Sequence, residues 1–227
     1  MKKKLTSKSL KKAYNSFSIY RSDGIDYSHR YSSWDLCYKH FTKFFKKTKP
    51  NKSDIKLAGL HLGFYLASWG MFRNPILLNS GIEQYELLAK KLHNLEKEVF
   101  EKQYEEIEVF LRALKKQVNK VLGKKIKNED PTDTLVTKIM LGVYSNTPAF
   151  DRFFKKTVSN SYLDKGRLVG SPKEKIQKIF NIPIKGKEKT VGGFIKSLNK
   201  SSAKEFSRKD MKTLDTIFFQ IGLGMPD

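Results

Sequence analysis

The chain has a single cysteine, Cys37, so no intramolecular disulfide can staple it. Four histidines are scattered along 227 residues and form no cluster at metal-ligand spacing, so neither a metal nor another cofactor is expected. Long apolar runs are scarce. The longest, residues 57–71, is interrupted by His61 and is shorter than the roughly 20 residues that span a bilayer. Residues 1–12 are basic and no apolar stretch follows them, so the start does not read as a signal peptide. No segment alternates apolar and polar residues for long enough to argue a strand. Acid is outnumbered, with 23 Asp+Glu against 45 Lys+Arg. Together these shortages predict a reduced, cytoplasmic, metal-free, all-α protein.

The charge that remains is one-sided. A formal net charge of +22 and an isoelectric point near 9.9 require extended positive potential, which favours a polyanionic partner. Nucleic acid is the first candidate and an anionic membrane the second; the partner taken forward is DNA, with no membrane association, and the expected state is a monomer. A chain with 16 Phe, 10 Tyr and 39% hydrophobic residues can bury a core, which a disordered chain of this charge could not. Its length suits one all-α domain, which could be split into two lobes at about 1–130 and 131–227, with residues 1–12 as a basic arm.

Helical spacing runs through most of the chain. Trp34, Cys37, Tyr38, Phe41, Phe44 and Phe45 predict a helix over about 32–47. Ser53 or Asp54 can cap the next, which is apolar on nearly every face and is expected to be the buried central helix. From Ile82 to about Leu122 the pattern fits one long helix or two broken near Glu101. Gly123 and the residues up to Pro131 read as a loop, after which Thr132 and Asp133 start a helix ending near Tyr144. Glycines and prolines then mark short helices and basic loops, with residues 173–180 the clearest helix, before a final one over 209–222.

The helix after Pro131 carries Lys138, and the turn that follows it leads to Asp151. An N-glycosidic bond breaks through an oxocarbenium-like state, so a carboxylate near the sugar can stabilise the developing charge or activate a nucleophile. An amine can attack the anomeric carbon and form a Schiff base. Asp151 and Lys138 are the candidate catalytic residues. An ordinary surface lysine and a helix-N-terminal aspartate are their plainer readings.

Val136, Lys138, Met140, Gly142 and Tyr144, followed by Pro148, Asp151, Arg152 and Phe153, resemble a motif of the helix-hairpin-helix DNA glycosylases. The similarity is to their divergent archaeal 8-oxoguanine branch, with one residue inserted between Val136 and Lys138. The stretch YSNTP stands where typical members have a glycine-rich turn, and the lysine-to-aspartate spacing is 13. The resemblance implies base flipping and excision from DNA, in repair or phage defence, with abasic-site lyase activity if Lys138 is the nucleophile. If it is not, Asp151 would activate water and leave an abasic site.

A flipped base is held by stacking and edge hydrogen bonds. Trp69, Met71 and Arg73, together with Tyr27, His29 and Trp34, offer both and are the candidate base pocket, although each tryptophan also fits a core role. Arg30, Arg152, Lys155, Lys156, Lys173, Lys185 and Lys187 are candidates for the DNA backbone. The stretch 186–193 lacks Walker spacing, which argues against a nucleotide triphosphatase. Arg30 and His40 are too far apart for an all-helical RNase pair. A non-enzymatic basic nucleic-acid-binding protein is the alternative, since it needs only the charge and the aromatics.

Overall fold

A computed structural model describes residues 5–18, 30–73, 75–99, 107–122, 131–160, 172–201 and 207–225. The fold is all-α. Among the described residues the only extended pairings are two isolated bridges, Thr6 with Lys185 and Pro183 with Thr190. No helix among them is long and apolar enough to cross a membrane. The chain divides into two compact units, Ile25–Tyr144 and Met1–Gly24 with Ser145–Asp227.

The Ile25–Tyr144 unit contains α2 (Ser32–Phe45), α3 (Lys52–Ser68), a short 3-10 turn (Met71–Arg73), α4 (Pro75–Leu78), α5 (Ile82–Val99), α6 (Ile107–Leu122) and α7 (Asp133–Val143). The break expected near Glu101 and the loop over 123–130 lie outside the described residues. α3 is capped by Asn51, whose side chain accepts from the Asp54 N–H while Asp54 accepts from the Asn51 N–H. The expected cap at Ser53 or Asp54 is therefore two or three residues late: Asp54 is the third helical residue, not the cap.

α3 is also not the buried central helix. It buries Ala58, Gly59, Leu62, Tyr65 and Leu66, but leaves Leu57, Leu60 and Phe64 between 47% and 58% exposed. An apolar sequence on every face gives no preference for which face turns inward, and packing against α2, α5 and α7 selects one. The helix buried on all sides is α7, where every residue from Leu135 to Val143 is covered. Its neighbours also satisfy its carbonyls: the Trp34 indole N–H donates to Leu141 at 2.8 Å and the Tyr65 hydroxyl to Lys138 at 3.1 Å. At its end Tyr144 stacks on Phe45 and donates to the Leu92 carbonyl at 2.7 Å.

The second unit contains α1 (Ser7–Ser18), α8 (Arg152–Asn160), α9 (Pro172–Phe180), α10 (Val191–Asn199) and α11 (Arg208–Leu223). Residues 7–12 of the expected basic arm are the first part of α1, because Leu10, Ala13 and Phe17 form a buried stripe that α11 covers. α11 is buried from Asp210 through Phe219. Its Asp215, Phe218 and Gly222 share one face, and this face carries α8 and the turn before it. Asp215 accepts the Ala149 N–H at 2.9 Å, the Phe218 carbonyl accepts from Thr157 at 2.6 Å, and a Cβ at Gly222 would overlap the Phe153 carbonyl.

Candidate functional site

α7 starts where Thr132 accepts the Leu135 N–H and ends at the Tyr144 C-cap. Lys138, near its middle, is only 2% exposed. It is not a surface lysine: both neighbours, Thr137 and Ile139, are buried as well, so α7 has no solvated face there. Its Nζ lies 4.5 Å from the centre of the Trp69 ring. A cation over an indole face is attracted by the ring quadrupole, more strongly where water is excluded.

Trp69 is the C-cap of α3 and is half-buried. The Tyr31 ring stacks on it at 5.4 Å and 11°, and the Arg30 guanidinium lies 5.5 Å from the Tyr31 ring centre and 5.9 Å from that of Trp69. Two cations and two stacked rings thus gather in one unit from three places in the sequence: the lead into α2, the end of α3 and the middle of α7. Trp69, Arg30 and Lys138 were legible as candidates. The tertiary structure adds Tyr31, stacked on Trp69, and Tyr65, whose hydroxyl donates to the Lys138 carbonyl.

Other pocket candidates are placed differently. Trp34 is buried, stacked on Tyr38 at 5.2 Å, with its N–H spent on α7, so it belongs to the core. Met71 is half-buried in the 3-10 turn. Arg73 is exposed and folds back onto the Gly70 carbonyl, a position where glycine adopts φ 70. Tyr27 and His29 lie outside the described residues. His61, on an apolar helix, is half-buried and stacks on His40 at 4.2 Å.

Asp151 belongs to the other unit. It is half-buried and caps α8, accepting the Phe154 N–H at 2.9 Å. The turn before it opens with Ser145 at φ 53, whose hydroxyl donates to the Arg208 carbonyl at 3.0 Å. Asp151 N–H donates to Ala149 O at 2.8 Å, and Asp215 holds the Ala149 N–H. The sequence signal for Asp215 is an acid beside Leu214, Ile217 and Phe218, which marks a buried polar role.

Among the backbone candidates Arg152 is exposed, with its guanidinium 4.8 Å from the Phe153 ring centre. Lys155 is exposed, and Lys156 donates to the Met225 carbonyl at 3.1 Å. Lys173 lies in α9, with its side chain outside the described residues. Lys185 and Lys187 are exposed on the loop before α10. Comparison with protein families, curated proteins and solved structures gives no match.

Proposed function

We propose that this protein is a DNA glycosylase that excises a damaged or modified base, acting as a cytoplasmic monomer in repair or phage defence. The observation that carries the reading is Lys138: a buried cation against Trp69, beside Tyr31 and Arg30. A flipped base needs a rigid aromatic wall and a few polar groups in a place from which bulk water is kept. Trp69 and Tyr31 supply the aromatic surface, and Arg30 and Lys138 the polar groups. A net charge of +22 supports both DNA binding and a monomer, and a buried free thiol suits a reducing compartment.

The chemistry assigned to the chain is hydrolysis. The bond from C1′ of the sugar to the base nitrogen breaks, positive charge develops on the sugar, and water adds at C1′. Its proton passes to a carboxylate and from there to the solvent, and the leaving base takes up one proton from the solvent. The carboxylate is a separate assignment: Asp151, which belongs to the other unit, is named for it on chemical grounds and on the resemblance of its surroundings. Lys138 is taken as the group that holds an electron-rich part of the substrate, since its Nζ lies over the Trp69 ring.

Single-turnover assays on short duplexes test this, with 8-oxoguanine in one and glucosylated 5-hydroxymethylcytosine in another. The expected product is an abasic site that breaks only on alkaline treatment. Asp151→Asn should lower the rate by about 10²-fold or more. If the protein binds DNA but releases no base from any duplex, the non-enzymatic binding protein is the better reading. Full activity in Asp151→Asn would remove Asp151 from the site.

A further inference from the structure

We propose that the first turns of α1 and the loop 184–190 form one preshaped surface for the phosphate backbone of duplex DNA, binding without regard to sequence. This inference rests on the DNA reading above and adds to it a docking surface in the unit that does not carry Lys138.

The two segments are far apart in sequence and are joined by backbone bonds. Lys185 N–H donates to Leu5 O at 3.1 Å and Ser7 N–H to Lys185 O at 3.0 Å. The loop is closed on itself by Ile184 N–H to Lys189 O at 2.8 Å and Val191 N–H to Ile182 O at 2.9 Å. Lys189 is held at φ 59, a conformation uncommon for a residue with a side chain. Gly186 lies against Ser7 so closely that a Cβ would overlap its hydroxyl. The loop is therefore ordered by its own bonds and by α1, so docking it on a ligand costs little further conformational entropy.

The charge on this surface has one sign. Residues 5–18 contain no acid, and residues 181–200 contain only Glu188. The Ser7 hydroxyl donates to the Glu188 carboxylate at 2.6 Å, which engages the single negative group within the protein and holds its carboxyl below the usual range. Lys8, Lys11, Lys12, Lys185, Lys187 and Lys189 are all exposed. A tight loop presenting lysines at every second position, beside a helix presenting them a turn apart, offers point charges and no base-reading fork. That combination fits a phosphodiester backbone, where lysines release counterions and carry no sequence information.

Fluorescence anisotropy on undamaged duplex DNA over a range of salt concentrations tests the surface. The variants are Lys185→Gln/Lys187→Gln/Lys189→Gln and Lys8→Gln/Lys11→Gln/Lys12→Gln, each checked for native helicity. Each is expected to weaken binding equally on damaged and undamaged duplexes and to reduce the slope of log K against log salt by about 2 to 3, near 0.9 per phosphate contact. Gly186→Ala changes no charge but unseats the loop from Ser7, and is expected to weaken binding as well. Unchanged slopes in both triple variants overturn the proposal, even if base excision is found. Lowered slopes without base excision on any duplex leave the surface standing and remove the glycosylase reading. A wild type that does not bind DNA overturns both.

Discussion

Gly142 on α7 lies flat against the ring of Tyr65 on α3, and the hydroxyl of that ring donates to the Lys138 carbonyl at 3.1 Å. A methyl group at Gly142 would overlap the ring carbons. Gly142→Ala is expected to force α3 and α7 apart and cost about 1–3 kcal/mol. In a chain of this size each kcal/mol lowers Tm by about 2–4 °C. Tyr65→Phe removes only the hydrogen bond and is expected to cost about 1 kcal/mol. Thermal unfolding of the two variants checks the order. A Gly142→Ala protein as stable as wild type would mean that the helices can separate freely.

The charge over Trp69 separates two chemistries. Lys138→Arg keeps a cation there and is expected to retain base excision within about tenfold, whereas Lys138→Met should lose about 10²-fold. Borohydride should trap no covalent DNA adduct with wild type. An adduct in wild type, with equal loss in both variants, would make the Lys138 nitrogen the nucleophile and give the enzyme lyase activity.

Asp215 and Lys212 are both nearly inaccessible, with Lys212 Nζ 3.7 Å from Asp215 Oδ2 and 5.4 Å from the Phe17 ring centre. Asp215→Ala leaves a buried lysine without this counter-charge and frees the Ala149 N–H, so the expected cost is about 3–5 kcal/mol. Adding Lys212→Met removes the stranded charge, and the double variant should be more stable than Asp215→Ala alone. Denaturant unfolding decides it: a double variant that is worse than the single one would contradict the pairing.

His40 and His61 make stability depend on pH. Burial, with neighbouring His61 and Lys47, lowers His40 to about 4, and burial also lowers His61. The unfolded chain takes up these protons near pH 6.5, and folded His40 does so only near pH 4. The contribution of His40 is therefore complete above pH 6.5, declines as the pH falls toward about 4, and is constant below that, and that of His61 declines in the same direction. One whole proton corresponds to about 1.4 kcal/mol per pH unit, and the half-exposed rings lessen the effect through solvent screening. Urea midpoints should fall over this window, and His40→Phe should flatten the decline. An identical decline in His40→Phe would assign it to other groups.

Cys37 is buried on α2, and burial pushes its thiol well above the ordinary range. A thiol reagent should leave the native protein unmodified and label it once in denaturant, since only the thiolate reacts readily. Fast labelling of the native protein would show that α2 opens locally.

Several elements were legible from the chain because their causes are local. The apolar spacing of Met211, Leu214, Ile217 and Phe218 marks α11, observed over Arg208–Leu223. Thr132 with Asp133 marks the start of α7, and Pro172 through Phe180 differs by one residue from the expected helix. Composition carries the charge, and helical spacing with no alternating run carries the all-α class. These follow from side-chain periodicity and caps, which act over a turn or two.

Burial and partnership were decided by the tertiary structure. Lys138 looks like any lysine until α7 is covered on all sides and Trp69 is brought beneath its Nζ. Leu57, Leu60 and Phe64 look like core until packing turns the other face of α3 inward. Asp215 meets Ala149 across 66 positions, and Ser7 meets Glu188 across 181. A residue's pattern along the chain specifies which face it shares, whereas the group it meets depends on where a distant helix comes to rest. That is why the candidate chemistry at Lys138 and Asp151 and the basic tracts could be named from sequence, while the stacked tyrosine, the Asp215 carboxylate that holds the Ala149 N–H and the bonds joining α1 to the loop 184–190 could be named only from the fold.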